Sequence, residues 1–277
     1  MRSEIPMERI DAVLPAGGRI SGAFAREAGA EIKALIRLEG RTLLRRMIEA
    51  LRATGRIGRI VVIGPEEALI EAQACGADAA ISEGATGPEN IYRGLEWLRA
   101  QEPAPPSRVL ILTTDLPFIT PEAIIAFLDS CSPDADIAIP IVTREAFEAR
   151  FPGTESIYTH LRDGAFTLGC AFLVSLETVL RCRPQVEGAF QARKSQWQMA
   201  RLVGGRVLFK FVTRQLTVVD IVERAGSLLA CRGEAIRNAP AELAYDIDLP
   251  TDYAYAFRAA SRVASPAAPG AHKEAAP

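Results

Sequence analysis

The sequence predicts a doubly wound α/β fold, with a mostly parallel central sheet and helices on both faces. Three observations carry that expectation. Short β-branched or aliphatic runs recur at residues 12–14, 59–63, 79–82, 109–112 and 136–141, with helical spacing between them. The first run ends in consecutive glycines and the fourth in an aspartate, which suits a fold whose ligands sit beyond the carboxyl ends of parallel strands. At 277 residues, 49% of them hydrophobic, the chain is long enough to bury a substantial core.

Taken in order, residues 12–14 break at Pro15 into Gly17-Gly18-Arg19, and Lys33 follows before Ala34-Leu35. A strand ending in adjacent glycines lets the backbone approach a phosphate, although a tight strand-to-helix turn uses the same residues. Gly40 marks a turn, and Leu43, Leu44, Met47, Ile48 and Leu51 recur at helical spacing until Gly55 stops the helix. Residues 59–64 read as a second buried strand closed by Gly64-Pro65, 66–75 as a helix, and 79–82 as a third strand. A loop at 84–88 precedes a helix over 89–99, with Pro88 near its first position. The stretch 102–107, EPAPPS, is a linker that cannot be helical. The strand at 109–112 runs into Thr113-Thr114-Asp115-Leu116-Pro117, and Thr120 is placed to cap a helix opened by Pro121.

From 142 to 240 the alternation weakens. A turn at 151–153, a hairpin at Asp163-Gly164 and a strand near 170–174 precede the basic stretch 192–195 and a helical run through Leu202. Residues 206–212 read as a strand and 217–229 as a helix. This region is expected to be an inserted α+β segment that packs on the sheet and builds the second-substrate side. A last helix at 251–263 completes a single domain over 1–264, and the Ala- and Pro-rich residues 265–277 read as a disordered tail.

Composition narrows the function. With 32 basic and 34 acidic residues the net charge is −2, which argues against nucleic acid or an anionic membrane as the main partner. The start, MRSEIPMERI, lacks the apolar core of a secretory signal, and no apolar run is long enough to span a bilayer, so a cytoplasmic protein is the expectation. Five scattered cysteines without a C-x-x-C and only two histidines argue against a zinc site or a disulfide framework. A metal would be held by carboxylates, which suits Mg²⁺.

Three features form a constellation: the glycine loop with Lys33, Asp115 after its strand, and Asp246-Ile247-Asp248-Leu249-Pro250-Thr251-Asp252 late in the chain. Separately they read as a turn, a helix cap and a solvated loop. Together, carboxylates at strand ends with a lysine and a glycine loop make a place for Mg²⁺ and a triphosphate.

These residues resemble nucleotidyltransferases of the glycosyltransferase-A type, the MobA-like NTP transferases that include molybdenum-cofactor guanylyltransferase and methylerythritol-phosphate cytidylyltransferase. The likeness rests on Ala16-Gly17-Gly18-Arg19, on Lys33-Ala34-Leu35 through Gly40-Arg41-Thr42-Leu43-Leu44, on Asp115-Leu116-Pro117, and on residues 246–252. It implies that Ala16, Gly17, Gly18 and Arg19 wrap the triphosphate, and that Lys33 and Arg19 offset charge at the α-phosphate. It further implies that Asp115 and Asp246 hold Mg²⁺ with Asp248 as a further ligand, and that Gly84 and Asn90 lie where the nucleobase is read. The implied reaction joins an NMP from an NTP to a small phosphorylated acceptor and releases pyrophosphate. The sequence departs from the family pattern at Gly22, where an arginine is common and for which Arg26 is a substitute, and at Ile32, where proline is usual. Asp246 stands where relatives often have asparagine.

For the acceptor, Arg144, His160, Arg162, Arg193 and Lys194 are candidates to bind phosphate, with Thr167 and Gly169 candidates to line the pocket. The same cations also suit a solvated basic face. Other readings are a glycosyltransferase using a nucleotide sugar, a catalytically inert nucleotide-binding module, and a Rossmann dehydrogenase. The first usually shows D-x-D where this chain has Asp115-Leu116-Pro117, and the last wants G-x-G-x-x-G. The inert module is consistent with the departure at Gly22.

Overall fold

The computed structural model describes residues 9–102, 105–192 and 195–264. Strand β1 (Ile10–Pro15) occupies the middle of the sheet, and its Ala12, Val13 and Leu14 are fully buried because helices cover both faces. After α1 (Gly22–Ala28), the short hairpin β2 (Arg37–Leu38) and β3 (Arg41–Thr42) turns at Glu39 and Gly40, both at positive φ. Thr42 then caps α2 (Leu43–Ala53) by accepting from Arg45 N at 3.1 Å. The chain continues through β4 (Ile57–Gly64), α3 (Glu66–Ala74), β5 (Ala79–Ser82), α4 (Gly87–Arg99), β6 (Arg108–Leu112), α5 (Pro121–Ser130) and β7 (Ile137–Thr143).

Strands β4 and β6 flank β1 in parallel, with Val13 opposite Val61 on one side and Ile111 on the other, and β5 lies parallel outside β4. Successive side chains leave the sheet on opposite faces. Ala12 and Leu14 join Met47, Ile48, Ala72 and Phe127 from α2, α3 and α5 in one core. Val13, Val61 and Ile111 join Tyr92, Leu95 and Leu98 from α4 in the other. The expected helices on both faces are thus present. Thr120 caps α5 through Ala123 N at 3.1 Å, as its position before Pro121 implies.

The second half does more than pack on this sheet. After α6 (Arg144–Arg150), the hairpin β8 (Thr159–Leu161) and β9 (Gly164–Leu168) extends the sheet beyond β7. β10 (Ala171–Ser175) inserts antiparallel between β6 and β7, with Leu173 opposite Leu110 and Ala138. Helices α7 (Leu176–Arg181), α8 (Arg183–Ala192), α9 (Gln196–Val203), α10 (Gly205–Val212) and α11 (Val218–Leu229) lead to β11 (Gly233–Ile236), which pairs parallel with β7. The final helix is α12 (Pro250–Ala264). Nine strands of the described residues form this sheet.

One element corrects the sequence reading. Residues 206–212, expected as a strand, form α10. A short run such as Val207-Leu208-Phe209 fits either period, and here it takes the helical one. The expected tail at 265–277, the first eight residues, and Arg193 and Lys194 lie outside the described residues.

Gly94 of α4 sets how closely that helix approaches the site-bearing strands. A Cβ there would stand 2.7 Å from Val13 Cγ1 and 2.8 Å from Ile63 Cδ1. Gly94→Ala ordinarily gains up to about 1 kcal/mol of helix propensity, whereas overpacking costs about 1–3 kcal/mol. The expected outcome is a lower urea midpoint for Gly94→Ala, and a higher one would contradict the packing.

Candidate active site

The carboxyl ends of β1, β5 and β6 open onto one cleft of about 420 Å³. Its first wall is the loop after β1. Ala16 N donates to Ile63 O at 2.7 Å, and Lys33 N donates to Gly18 O at 2.9 Å, so the loop is tied to the sheet below and to the Lys33 segment beside it. Gly17 and Gly18 line the cleft, and a Cβ on Gly17 would collide with the Glu83 carboxylate. Ala16 itself is fully buried beneath the loop and does not line the cleft.

The opposite wall follows β5. Buried Asn90, in the first turn of α4, accepts from Gly84 N at 2.6 Å through Oδ1, which fixes the loop that Gly84 begins. Glu83 ion-pairs with Arg19 across the cleft, and Arg19 Nη1 also donates to Gly17 O at 3.1 Å. Glu83 was not singled out from the sequence. It stands directly after a parallel strand, the same rule that drew attention to Asp115.

Asp115 forms the base of this cleft, and the late acidic segment meets it there. Ile247 N donates to Asp115 O at 3.1 Å, and the Phe118 and Tyr245 rings pack edge-on with centroids 5.0 Å apart. Asp252 Oδ2 accepts from Leu249 N at 2.7 Å and from Asp248 N at 3.1 Å, shaping the turn into α12. The result gathers Asp115, Asp246 and Asp248, with one carboxylate oxygen from each lying within 4.8 Å of the others. Lys33 Nζ donates to Asp115 Oδ2 at 3.1 Å and also pairs with Asp248. Asp115 Oδ1 is buried with no hydrogen-bond partner.

Electrostatics follow from this crowding. Burial, then the Asp115 and Asp248 carboxylates, push the Asp246 carboxyl up to about 7. Burial lowers the Lys33 ammonium, but Asp115 and Asp248 outweigh it, so its pKa stands above the usual lysine range. Cys170, at the start of the turn into β10, is raised by burial and then by Asp246 and Asp115, which keeps it a neutral thiol.

A second cleft, of about 250 Å³, opens on the other side of the acids and includes Asp246, Asp248, Asp252, Glu155, Tyr245 and Thr167 in its lining. Thr167, a candidate pocket residue in the sequence, lines this cleft. Gly169 lies beneath, where a Cβ would stand 2.7 Å from Pro140 Cγ and 3.1 Å from Leu243 O, so its smallness serves packing. Arg144 lines neither cleft; it pairs with Glu148 at 2.7 Å and lies over the Tyr158 ring. His160 is an exposed β8 residue paired with Ala165 in the hairpin, and Arg162 N bonds Leu216 O at 2.8 Å; neither lines a cleft. Arg26 is exposed on α1 and also lies outside the clefts.

A glycine loop, a lysine and clustered carboxylates at the strand ends of a doubly wound sheet define a nucleotide-binding α/β protein. Residues 12–149 match the MobA-like NTP transferase domain, and the chain belongs to that family. It is similar to a structure described as a hypothetical transferase from Thermus thermophilus, at 31% identity and a TM-score of 0.76, covering 88% of this chain and 99% of that one. A nucleotidyl transferase from Methanothermobacter thermautotrophicus shares the fold at 17% identity and a TM-score of 0.55, covering 92% and 99% of the two chains. A 4-diphosphocytidyl-2C-methyl-D-erythritol synthase from Anaerococcus prevotii does so at 11% identity and a TM-score of 0.55, again covering 92% and 99%. None of the curated proteins matches the chain.

The acid cluster has a stability signature. The folded-state pKa of Asp246, about 7, lies above the usual 3.8, so the folded protein holds this proton more tightly than the unfolded chain. The stability it contributes is full below about pH 4 and is lost as pH rises to about 7. In chelator, thermal melts from pH 4.5 to 8 should show that loss, and Asp246→Asn should flatten it. An unchanged profile in the variant would mean that this carboxyl is not strained by its neighbours.

Proposed function

We infer that the protein is a Mg²⁺-dependent nucleotidyltransferase that moves an NMP from an NTP onto the phosphate of a small acceptor. The observation that carries this reading is that Lys33 and the three aspartates stand between two clefts, one bordered by the glycine loop and one by acidic and aromatic residues. The first cleft suits the NTP and the second suits the acceptor. A phosphate oxygen of the acceptor forms the new bond to the α-phosphorus, the bond to the β-phosphate bridging oxygen breaks, and pyrophosphate leaves.

The protein's part is positioning and charge. Gly17 and Gly18 bring backbone against the triphosphate, and Lys33 sets a fixed cation beside the reacting centre. The Arg19–Glu83 pair spans the nucleotide cleft, so Arg19 exchanges a carboxylate for phosphate oxygens when the NTP enters. The donor set fits Mg²⁺, being all carboxylate oxygen with one buried oxygen left unsatisfied. Asp115, Asp246 and Asp248 would hold the ion, which when bound offsets charge on the α-phosphate and the leaving group.

The acceptor cleft carries a constraint of its own. Glu155, Asp246, Asp248 and Asp252 are among its described lining, and no lysine or arginine is. An acceptor therefore brings one anionic group, its reacting phosphate, while the rest of it is neutral or cationic.

With Mg²⁺ and the matching NTP, the melting temperature should rise. Pyrophosphate release with a panel of phosphorylated acceptors should fall by about 100-fold or more in Asp115→Ala, given the size of such electrostatic contributions. No shift with any NTP would remove the reading. Because an ion must displace the Asp246 proton, Mg²⁺ affinity should climb with pH and level off above about 7. Titration calorimetry at several pH values checks this, and affinity falling with pH over that range would contradict it.

A further inference from the structure

Helix α10 faces the wrong way for a surface helix of a monomer. At 3.6 residues per turn, Arg206 and Lys210 share one side and Leu208 and Val212 the opposite one, with Phe211 on one flank and Phe209, next to Arg206, on the other. Lys210 turns inward, while Arg206 stays exposed at the rim. Lys210 pairs with Asp220 of α11, and Arg206 and Lys210 line a groove with Asp220, Glu223 and Arg224. The apolar side turns to solvent: Leu208 is 42%, Phe209 68%, Phe211 55% and Val212 73% exposed. Val219 of the neighbouring α11 is exposed as well. Apolar side chains grouped this way mark a contact surface.

Charge identifies what is contacted. From residue 188 to 219 the sequence holds six basic residues, Arg193, Lys194, Arg201, Arg206, Lys210 and Arg214, and no acidic one, in a chain whose net charge is −2. Arg201, Arg206 and Arg214 are exposed and form no ion pair with a described residue. Two copies of this face brought together would oppose like charges, so the partner is anionic. Outward phenylalanine, leucine and valine among unpaired arginines have the chemistry of an interfacial helix, with rings below the lipid headgroups and guanidinium groups at the phosphates. No described helix is long and apolar enough to cross a membrane, so this one would lie in the surface plane.

We propose that α10 and its basic surroundings dock the protein on an anionic lipid bilayer. The surface adjoins the nucleotide cleft through α8, whose Phe190 lines that cleft and which packs with α9, the neighbour of α10. The proposal does not depend on the transfer reaction.

The test is co-sedimentation of the full chain with vesicles of phosphatidylcholine alone and of phosphatidylcholine with phosphatidylglycerol. Binding is expected only to the anionic vesicles and should weaken as salt rises. The double variant Phe209→Ser/Val212→Ser should bind about tenfold or more weakly, with its melting temperature kept because both side chains are already in solvent. Arg206→Glu/Arg214→Glu should lose binding as well. Equal binding to neutral vesicles, no binding to either, or full binding by the phenylalanine–valine variant overturns the proposal. So does a dimer, seen by light scattering, that the same variant converts to monomer, since a second copy of the chain would then cover the face.

Discussion

Three carboxylates held within 4.8 Å of one another repel, and one lysine stands against that repulsion. The remaining features of the site are arranged around this imbalance. Lys33 is itself mostly buried and pairs with two of the three acids, leaving Asp246 crowded enough that its carboxyl holds a proton near neutrality. Such a cluster raises the energy of the free protein, and the proposed cation would relieve it. The fold holds the two acid-bearing segments together: Ile247 N is bonded to Asp115 O, and Phe118 is packed on Tyr245.

The architecture explains how segments from opposite ends of the sequence reach that point. Parallel strands β1, β5 and β6 all release the chain on the same edge, so their following residues become neighbours without any local motif joining them. β10 then enters the sheet between β6 and β7, and Cys170 N bonds Leu243 O at 2.7 Å, which ties the late segment to the sheet edge just before Tyr245. Insertion of an antiparallel strand is thus the device that anchors the second half of the site.

The first half was legible because most of its strands are short aliphatic runs closed by glycine, proline or aspartate, and Pro88 and Thr120-Pro121 mark the starts of α4 and α5; α1, which lacks a side-chain cap, gives no such signal. Lys33 and Asp115 were legible as residues suited to phosphate and metal at such ends, and the late acids by family likeness. Glu83 sits at an equivalent strand end, yet an isolated glutamate before a glycine gives no signal until Arg19 is seen across the cleft. The acceptor side was harder. Its cleft is assembled from residues on α6, β9, the loop after α6 and the turn before α12, and neither Arg144 nor Arg162, which look suitable in sequence, is among its described lining. Helix α10 was misread because alternating apolar residues fit a strand period, and its outward apolar face is a tertiary fact. A net charge of −2 likewise averages away the acid-free stretch from 188 to 219.

The central claim is that the carboxylates of Asp115 and Asp246 are two sides of one cation site. Crystals grown with Mn²⁺ and a non-hydrolysable NTP, measured at the manganese absorption edge, address it most directly. An anomalous peak between those two carboxylates, in contact with the triphosphate, is the expected result. A nucleotide bound in the cleft with no ion there, and Lys33 still lodged between the acids, would contradict it.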